Sequence, residues 1–149
     1  MRALICGAIG ITIVGMPMAA SISAHEHATG VVKERMDAME SMAKAMKAIT
    51  QRIRGNRDAE LIKVDARSIH TLAQAMTSMF PPRSNQHPSE ARASIWQNWS
   101  DFEAKAKSLA AESDKLANAD ARDAKSLAVQ ARAVSQACGQ CHEKYRVKQ

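Results

Sequence analysis

Apolar residues recur every three or four positions along most of the chain, with charged and polar residues between them. In the first such segment, Val31 to Arg54, the steps from Met39 onward are three, four, three and four, which is typical of a helix that buries one face. A second segment, from about Arg57 to Phe80, repeats this spacing, and two prolines follow it. The apolar positions of these two predicted helices are Val32, Met39, Met42, Met46, Ile49 and Ile53, then Ile62, Ile69, Leu72, Met76 and Met79.

Two further segments with the same period follow the polar stretch Arg83 to Pro88. We expect Gly55 to stop the first helix, Asn56 to cap the second and Ser89 to cap the third. A short break at Ala117–Asp120 separates the third helix from the fourth. Four amphipathic helices with short connections predict an all-α fold, an antiparallel up-and-down four-helix bundle. The apolar stripes of the last two helices are Ile95, Trp99, Phe102, Ala106, Leu109, Ser113 and Leu116, then Ala124, Leu127, Ala131, Val134, Cys138, Cys141 and Tyr145.

The beginning of the chain has the composition of an export signal. Arg2 supplies a positive charge, Ala3 to Val14 forms a short apolar run, and small residues follow it. Because the run is too short for a confident membrane span, we expect cleavage, and an uncleaved anchor is the less favoured alternative. The preferred cleavage position is after Ala24, with Ala20 and Ser23 as alternatives.

On this interpretation residues 1–24 are a signal peptide, and residues 25–149 form a single periplasmic domain without stable membrane insertion. Cys6 is removed with the signal, so the mature chain keeps only Cys138 and Cys141. A disulfide framework would need several spaced cysteines. The two remaining thiols are therefore expected to have a chemical role other than cross-linking the fold.

Charge and aromatic content argue against a nucleic-acid-binding protein. The full sequence carries a net charge of +6, which falls by one to +5 when Arg2 is removed. The basic residues are scattered over helical faces, and aromatic residues make up only 3% of the chain, so no basic stripe with aromatic interleaving is present. A mildly basic surface suits an acidic redox partner, and it is equally typical of ordinary solvated helices.

The strongest chemical signal is Cys138-Gly139-Gln140-Cys141-His142, the attachment pattern of c-type haem. Two thiols at this spacing reach the two vinyl groups on one edge of a porphyrin, and the histidine that follows coordinates the iron. A thioredoxin-like dithiol would need a βαβ context, and a structural zinc site would need about four ligands. We therefore predict one covalent haem c, with Cys138 and Cys141 as thioether residues and His142 as the proximal iron ligand.

The ligand on the opposite face of the iron decides the function. A methionine there gives a closed, low-spin electron carrier, whereas an open face gives a high-spin iron that binds small gases. The histidines other than His142 are less suitable, because they fall in a predicted tail, in a loop or beside an apolar stripe: His25, His27, His87 and His70. Spacing alone does not choose among the methionines of the first predicted helix, which are Met36, Met39, Met42 and Met46.

Arg35 lies on the inward stripe one turn before Met39. A charged residue on an inward face usually needs a partner, and a haem propionate would provide one. The alternative is that the side chain extends to the end of the bundle and reaches water there. The residues alone leave both interpretations open.

The run from Ala137 to Arg146, in which an aromatic and a basic residue follow the haem histidine, resembles the ending of the cytochrome c-prime family. Ile95-Trp96 also resembles a recurrent pair of that family. The resemblance extends from about Val31 to Lys148, and within the family it is to the low-spin cytochrome c-556 type. It implies a four-helix bundle with a covalent haem.

The family places its distal-side residue on the first helix, a fixed distance before a glycine that ends it. Counting back from Gly55 leads to Met39, which the resemblance therefore implies as the distal iron ligand. It likewise implies Arg35 as a contact of a haem propionate. A shift of register would select Met36 or Met42 in place of Met39.

Together these features predict a periplasmic monohaem cytochrome that carries single electrons through a six-coordinate His/Met iron and is not an enzyme. Its partners would be redox proteins that the sequence does not identify, and a monomer and a homodimer are both consistent. The alternative is a five-coordinate cytochrome c-prime that binds nitric oxide or carbon monoxide. A dithiol oxidoreductase using Cys138 and Cys141 ranks third.

Cleavage after Ala24 would also leave a mature chain that begins His25-Glu26-His27. A free amine, two backbone amides and a histidine in third position can form a square-planar copper or nickel site. A polar tail without bound metal is the more favoured interpretation.

Overall fold

The computed structural model describes residues 28–56 and 58–148 of the chain. The predicted signal peptide and the segment His25-Glu26-His27 lie outside the described residues. The described part contains five α-helices and one short 3-10 helix. Their bounds are α1 Gly30–Gly55, α2 Ala59–Gln74, the 3-10 helix Met76–Met79, α3 Ser94–Gln97, α4 Trp99–Ala117 and α5 Ala124–Tyr145.

The four long helices α1, α2, α4 and α5 form the predicted bundle. α2 packs against α1 and α4, and α5 packs against α4 and, over a smaller contact, against α1. The predicted all-α fold is confirmed, and no helix among the described residues is both long and apolar enough to cross a bilayer. The largest fully buried apolar side chains are Phe102, Ile49, Ile62, Ile69, Ile95, Leu116 and Val134.

The turn between α1 and α2 differs from the sequence expectation. Gly55 is the last helical residue, and the left-handed position that ends α1 is taken by Asn56, with φ 46° and an N–H directed at the carbonyls of Arg52 and Ile53. Asn56 therefore ends α1 and does not cap α2; Asp58 occupies the position before α2, where its backbone carbonyl accepts from the Leu61 and Ile62 N–H groups. Asparagine tolerates the left-handed conformation better than most residues, which explains this outcome.

The second helix is shorter than predicted. Its α-helical part ends at Gln74, and the chain tightens into the 3-10 helix that ends before Phe80. The buried side chains of Met76 and Met79 continue the apolar pattern, so periodicity could not detect the change of helix type.

The third helix also begins differently from the prediction. Ser89 does not cap it, because its hydroxyl accepts hydrogen bonds from the Ala91 N–H and from Arg35. Ala91 instead forms an isolated antiparallel bridge with Arg146, and α3 and α4 follow with a break at Asn98. The segment before α3 thus bonds to the C-terminal end of the chain as well as to α3, whose Ile95 N–H donates to the Arg92 carbonyl.

Two substitutions on α2 test the described core. Ile69 is fully buried, so Ile69→Ala should lower the free energy of unfolding by about 2–5 kcal/mol. Leu61, on the same helix, is 47% exposed, and Leu61→Ala should change it by less than about 0.5 kcal/mol. Denaturant unfolding of the haem-containing protein measures both, and equal losses would contradict the orientation of α2.

Candidate functional site

A cavity of about 430 Å³ opens between α1 and α5 at the end of the bundle where α5 finishes. Met36 and Met39 line it from α1, and Cys141 and His142 line it from α5. Buried aromatic side chains complete the apolar wall. The volume falls within the range of about 300–1,000 Å³ that is typical of sites for organic ligands and cofactors. The aromatic residues are Phe80, Phe102 and Tyr145.

The Cys138–His142 motif lies in the last two turns of α5. Both cysteines are free thiols, half-buried against the core, and His142 is exposed at the cavity. A helical backbone brings residues three and four apart to neighbouring positions, so both thiols and the imidazole lie near one another. The structure therefore brings together the three residues that the sequence motif predicted.

The environment of the two thiols differs from that of a catalytic dithiol. Burial raises the pKa of Cys138 and of Cys141 above the ordinary thiol value. Reactive dithiols show the opposite shift, because the thiolate is their nucleophile. Within residues 28–56 and 58–148, no group of three or more His, Cys, Asp or Glu side chains could hold a metal ion.

The surroundings of the His142 imidazole lower its pKa, a shift that favours the neutral form. Burial lowers its pKa, and the positive charge of Arg146 lowers it further, whereas the Glu90 carboxylate raises it. Neutral imidazole has the free nitrogen lone pair that metal coordination requires.

The methionines of α1 divide into two groups. Met42 is only 5% exposed and belongs to the core, and Met46 packs against that core. Met36 and Met39 line the cavity, and Met39 also packs against the edge of the core. The rotation of α1 thus reduces the candidates for a distal ligand from four methionines to two.

Arg35 is buried in the wall of the cavity, with 4% of its surface exposed. The interpretation that it extends to water at the end of the bundle is therefore wrong. Its two terminal nitrogens donate four hydrogen bonds to the Met79 carbonyl, the Ser84 hydroxyl and carbonyl, and the Ser89 hydroxyl. The guanidinium also lies 4.4 Å from the centroid of the Phe80 ring.

All of these hydrogen-bond acceptors are neutral, and burial lowers the pKa of Arg35. A buried positive charge among neutral groups favours an anion nearby. The cavity thus offers the Cys141 thiol, an imidazole, two thioethers on the facing helix and a positive charge in the wall, and Cys138 lies one turn before Cys141 on α5. This set of residues fits a haem, whose propionates are anionic.

A polar cluster that the sequence did not reveal supports α5 beside the cavity. The Tyr145 hydroxyl donates to Asp101 Oδ2 at 2.6 Å, and Lys144 Nζ lies 3.0 Å from the same oxygen. The Tyr145 ring packs edge-on against Phe102, with 5.5 Å between the ring centroids. These contacts join α5 to the start of α4. Asp101 lies on a polar helix face, where nothing in the sequence pattern indicated them.

The fold and this site define the class of c-type cytochromes that are built on a four-helix bundle. The chain belongs to the cytochrome c′ family, whose family model matches residues 30–146. The protein accordingly carries a covalently bound haem c.

Known proteins of similar sequence share the name cytochrome c-556. One from Agrobacterium tumefaciens (strain II Chrys) is 33% identical over 121 residues, covering 80% of this chain and 98% of the relative. One from Agrobacterium fabrum (strain C58) is 32% identical over 124 residues, covering 82% and 84%.

Solved structures agree in fold. Cytochrome c′ from Thermochromatium tepidum matches with a TM-score of 0.73 and 24% identity, over 87% of this chain and 100% of that one. A nitric oxide complex of a mutant cytochrome c prime from Alcaligenes xylosoxidans matches with a TM-score of 0.72 and 30% identity, over 80% and 94%. Another cytochrome c′, described by its ligand-controlled dimer dissociation, matches with a TM-score of 0.74 and 24% identity, over 87% and 100%.

The Tyr145–Asp101 contact predicts a pH-dependent contribution to stability. The hydrogen bond from Tyr145, and then that from Lys144, lower the pKa of Asp101 in the folded protein. The contribution is therefore present above the ordinary carboxyl pKa of about 3.9 and is lost as pH falls through the lower folded value. Asp101→Asn should lower the melting temperature at pH 7, and the difference from wild type should shrink as pH falls below the ordinary carboxyl pKa.

Tyr145→Phe provides the matched control for this prediction. It removes the largest cause of the lowered Asp101 pKa and keeps the aromatic ring. In the Tyr145→Phe background, most of the pH-dependent difference in melting temperature between Asp and Asn at position 101 should therefore disappear. A difference between wild type and Asp101→Asn that stays constant from pH 7 to the acid limit would contradict this assignment.

Proposed function

We propose that the protein is a periplasmic carrier of single electrons in which His142 and Met39 bind the haem iron from opposite sides. The observation that carries this proposal is that the two residues line one cavity from facing helices, His142 from α5 and Met39 from α1. Cys138 and Cys141 supply the thioether bonds. The names of the curated relatives support a cytochrome function in this chain.

The haem supplies one-electron redox chemistry, and the protein residues set its conditions. A thioether and an imidazole as axial ligands favour reduced iron and raise the reduction potential. Phe80, Phe102 and Tyr145 form an apolar wall that limits water, which lowers the solvent reorganisation that accompanies electron transfer. The covalent attachment keeps the cofactor in place, so electron transfer requires only that a partner approach the cavity.

Electron transfer requires no proton donor or acceptor. Of the charged residues that line the cavity, Arg35 is bound to neutral groups of the chain, Glu40 pairs with Lys44 and Glu90 pairs with Arg146. Carrying one electron therefore matches the residues around the cavity better than acid–base catalysis does.

Export follows from the first 24 residues and is part of the proposal. Cleavage after Ala24 would release the described bundle into the periplasm, where the covalent attachment of haem takes place. Redox proteins of that compartment would be its partners.

A second candidate function is the binding of nitric oxide or carbon monoxide at an open iron. It is favoured by one observation, the similarity to a solved cytochrome c prime that was determined as a nitric oxide complex. In that case Met39 would pack above the iron without binding it. The two functions share the fold, the thioethers and His142, and they differ only on the side of the cavity formed by α1.

Substitution of the two methionines at the cavity separates these functions. Met39→Leu preserves size and polarity but removes the sulfur, so the ferric protein should change from low spin to high spin and the ferrous protein should bind carbon monoxide. Met36→Leu, the matched control at the same cavity, should keep the wild-type optical spectrum. A wild-type spectrum in Met39→Leu, or the loss of low spin in Met36→Leu, would reject Met39 as the ligand.

A further inference from the structure

The loop between the 3-10 helix and α3 forms hydrogen bonds with both helices that carry the proposed iron ligands, α1 and α5. We define residues 80–91, from Phe80 to Ala91, as the strap. Five of its residues line the cavity, and its two halves bond to different helices: Ser84 and Ser89 to α1, Glu90 and Ala91 to the end of α5. The strap residues at the cavity are Phe80, Pro88, Ser89, Glu90 and Ala91.

The attachment to α1 is made by Arg35. Arg35 Nη2 donates to the Ser84 carbonyl at 2.7 Å and to Ser89 Oγ at 2.7 Å, and Nη1 donates to Ser84 Oγ at 3.2 Å. Nη1 also reaches the Met79 carbonyl at 3.3 Å, so all four N–H groups of the two terminal nitrogens are bonded. Since these nitrogens are committed to protein acceptors, Arg35 in this conformation holds the strap whether or not its remaining Nε–H meets a propionate.

The attachment to α5 combines backbone and side-chain bonds. The Val147 N–H donates to the Glu90 carbonyl at 2.8 Å, and the N–H of Arg92, the residue directly after the strap, donates to the Tyr145 carbonyl at 2.9 Å. Arg146 Nε donates to Glu90 Oε2 at 2.6 Å in an ion pair whose side chains are 48% and 32% exposed. The attachment of the strap to α5 therefore depends in part on this ion pair, which is incompletely exposed to water.

Both attachments lie one helical turn from a proposed iron ligand. Arg35 precedes Met39 by four residues, and Arg146 follows His142 by four. The direct contact of α1 with α5 is smaller than that of α2 with α1 or α4, and the hydrogen bonds of the strap add to it. A loss at either attachment would let α1 move relative to α5 next to the methionine.

We propose that the strap keeps Met39 on the iron by fixing α1 against α5, and that Ser84, Ser89 and Glu90 are positioning residues for this ligation. The inference rests on the proposed His/Met ligation. It assigns a role to three residues of the strap, and it separates the structural role of Arg35 from its predicted contact with a propionate.

The ion pair Glu90–Arg146 distinguishes a mechanical effect from an electrostatic one. Glu90→Gln and Arg146→Gln each weaken the same attachment, so each should raise the ratio of high-spin to low-spin ferric protein, and the affinity of ferrous protein for carbon monoxide, by about two- to fivefold. Direct electrostatics predicts another pattern. Removing a negative and a positive charge near the haem would shift the reduction potential in opposite directions and leave the spin ratio unchanged.

Glu112→Gln is the charge-matched control. Glu112 pairs with Lys115 on α4 and does not line the cavity, so this variant should keep the wild-type spin ratio and carbon monoxide affinity. Optical spectra and carbon monoxide titrations of the haem-containing proteins provide the measurements. Opposite shifts of potential without a change of spin ratio, or no change in either variant, would overturn the proposal.

Serine substitutions test the attachment to α1 without altering Arg35. In the double variant Ser84→Ala/Ser89→Ala, Arg35 loses two acceptors and the Ala91 N–H loses one, so the spin ratio and the carbon monoxide affinity should rise by about tenfold. Ser84→Ala alone is a stricter variant, because Ser84 is buried and does not line the cavity. If only substitutions of Arg35 changed the spin ratio and the carbon monoxide affinity, and both serine variants matched wild type, the propionate role of Arg35 would be favoured. That result would overturn the positioning role of the strap.

The same spectra distinguish the failure of this inference from the failure of the proposed function. A wild-type protein that is high spin and binds carbon monoxide overturns His/Met ligation and the strap together. A low-spin wild type whose strap variants are unchanged overturns the strap alone.

Discussion

A cavity lies between α1 and α5 at the end of the bundle that carries Cys141 and His142. Because this space is open, the protein must line it with side chains and close it with a segment that is not helical. Apolar aromatic side chains from the strap, α4 and α5 form the lining. Three features close the cavity. α2 gives way to a 3-10 helix, Glu90 and Ala91 bond to the residues that follow α5, and α4 begins later than the sequence pattern predicted. Each departure from four plain helices occurs at this cavity or leads to it.

Charge is placed around the same space in two different ways. Arg35 is buried among neutral acceptors, which satisfies its hydrogen bonds but leaves its charge available to an anion. Asp101, by contrast, is compensated locally by Tyr145 and Lys144 and serves to hold α5 on α4. The first arrangement suits a cofactor with carboxylates, and the second stabilises the helix to which that cofactor is attached.

The sequence was sufficient for the features that depend on local pattern. Periodicity identified the four long helices, and the CxxCH motif identified the end of α5 where the site lies. Long-range contacts were beyond it: Ser89 has the properties of a helix cap, but its hydroxyl bonds to Arg35 on α1. Spacing placed Met39 and Met42 on one stripe, and only the rotation of α1 in the packed bundle turns Met42 into the core and Met39 toward the cavity. Arg35 could be predicted to need a partner, whereas its partners Ser84 and Ser89 lie in a loop without any pattern.

The central claim is that one cavity brings His142 and Met39 to opposite sides of the same iron. The most direct test is the optical spectrum of the purified mature protein, oxidised and reduced, before and after carbon monoxide. Ligation by both residues predicts low-spin bands, a deep-red sulfur-to-iron band in the oxidised protein, and no spectral change at carbon monoxide concentrations that saturate the Met39→Leu variant. Broad high-spin bands that shift with carbon monoxide would keep the fold and the haem attachment, but they would contradict ligation by Met39 and establish the gas-binding alternative.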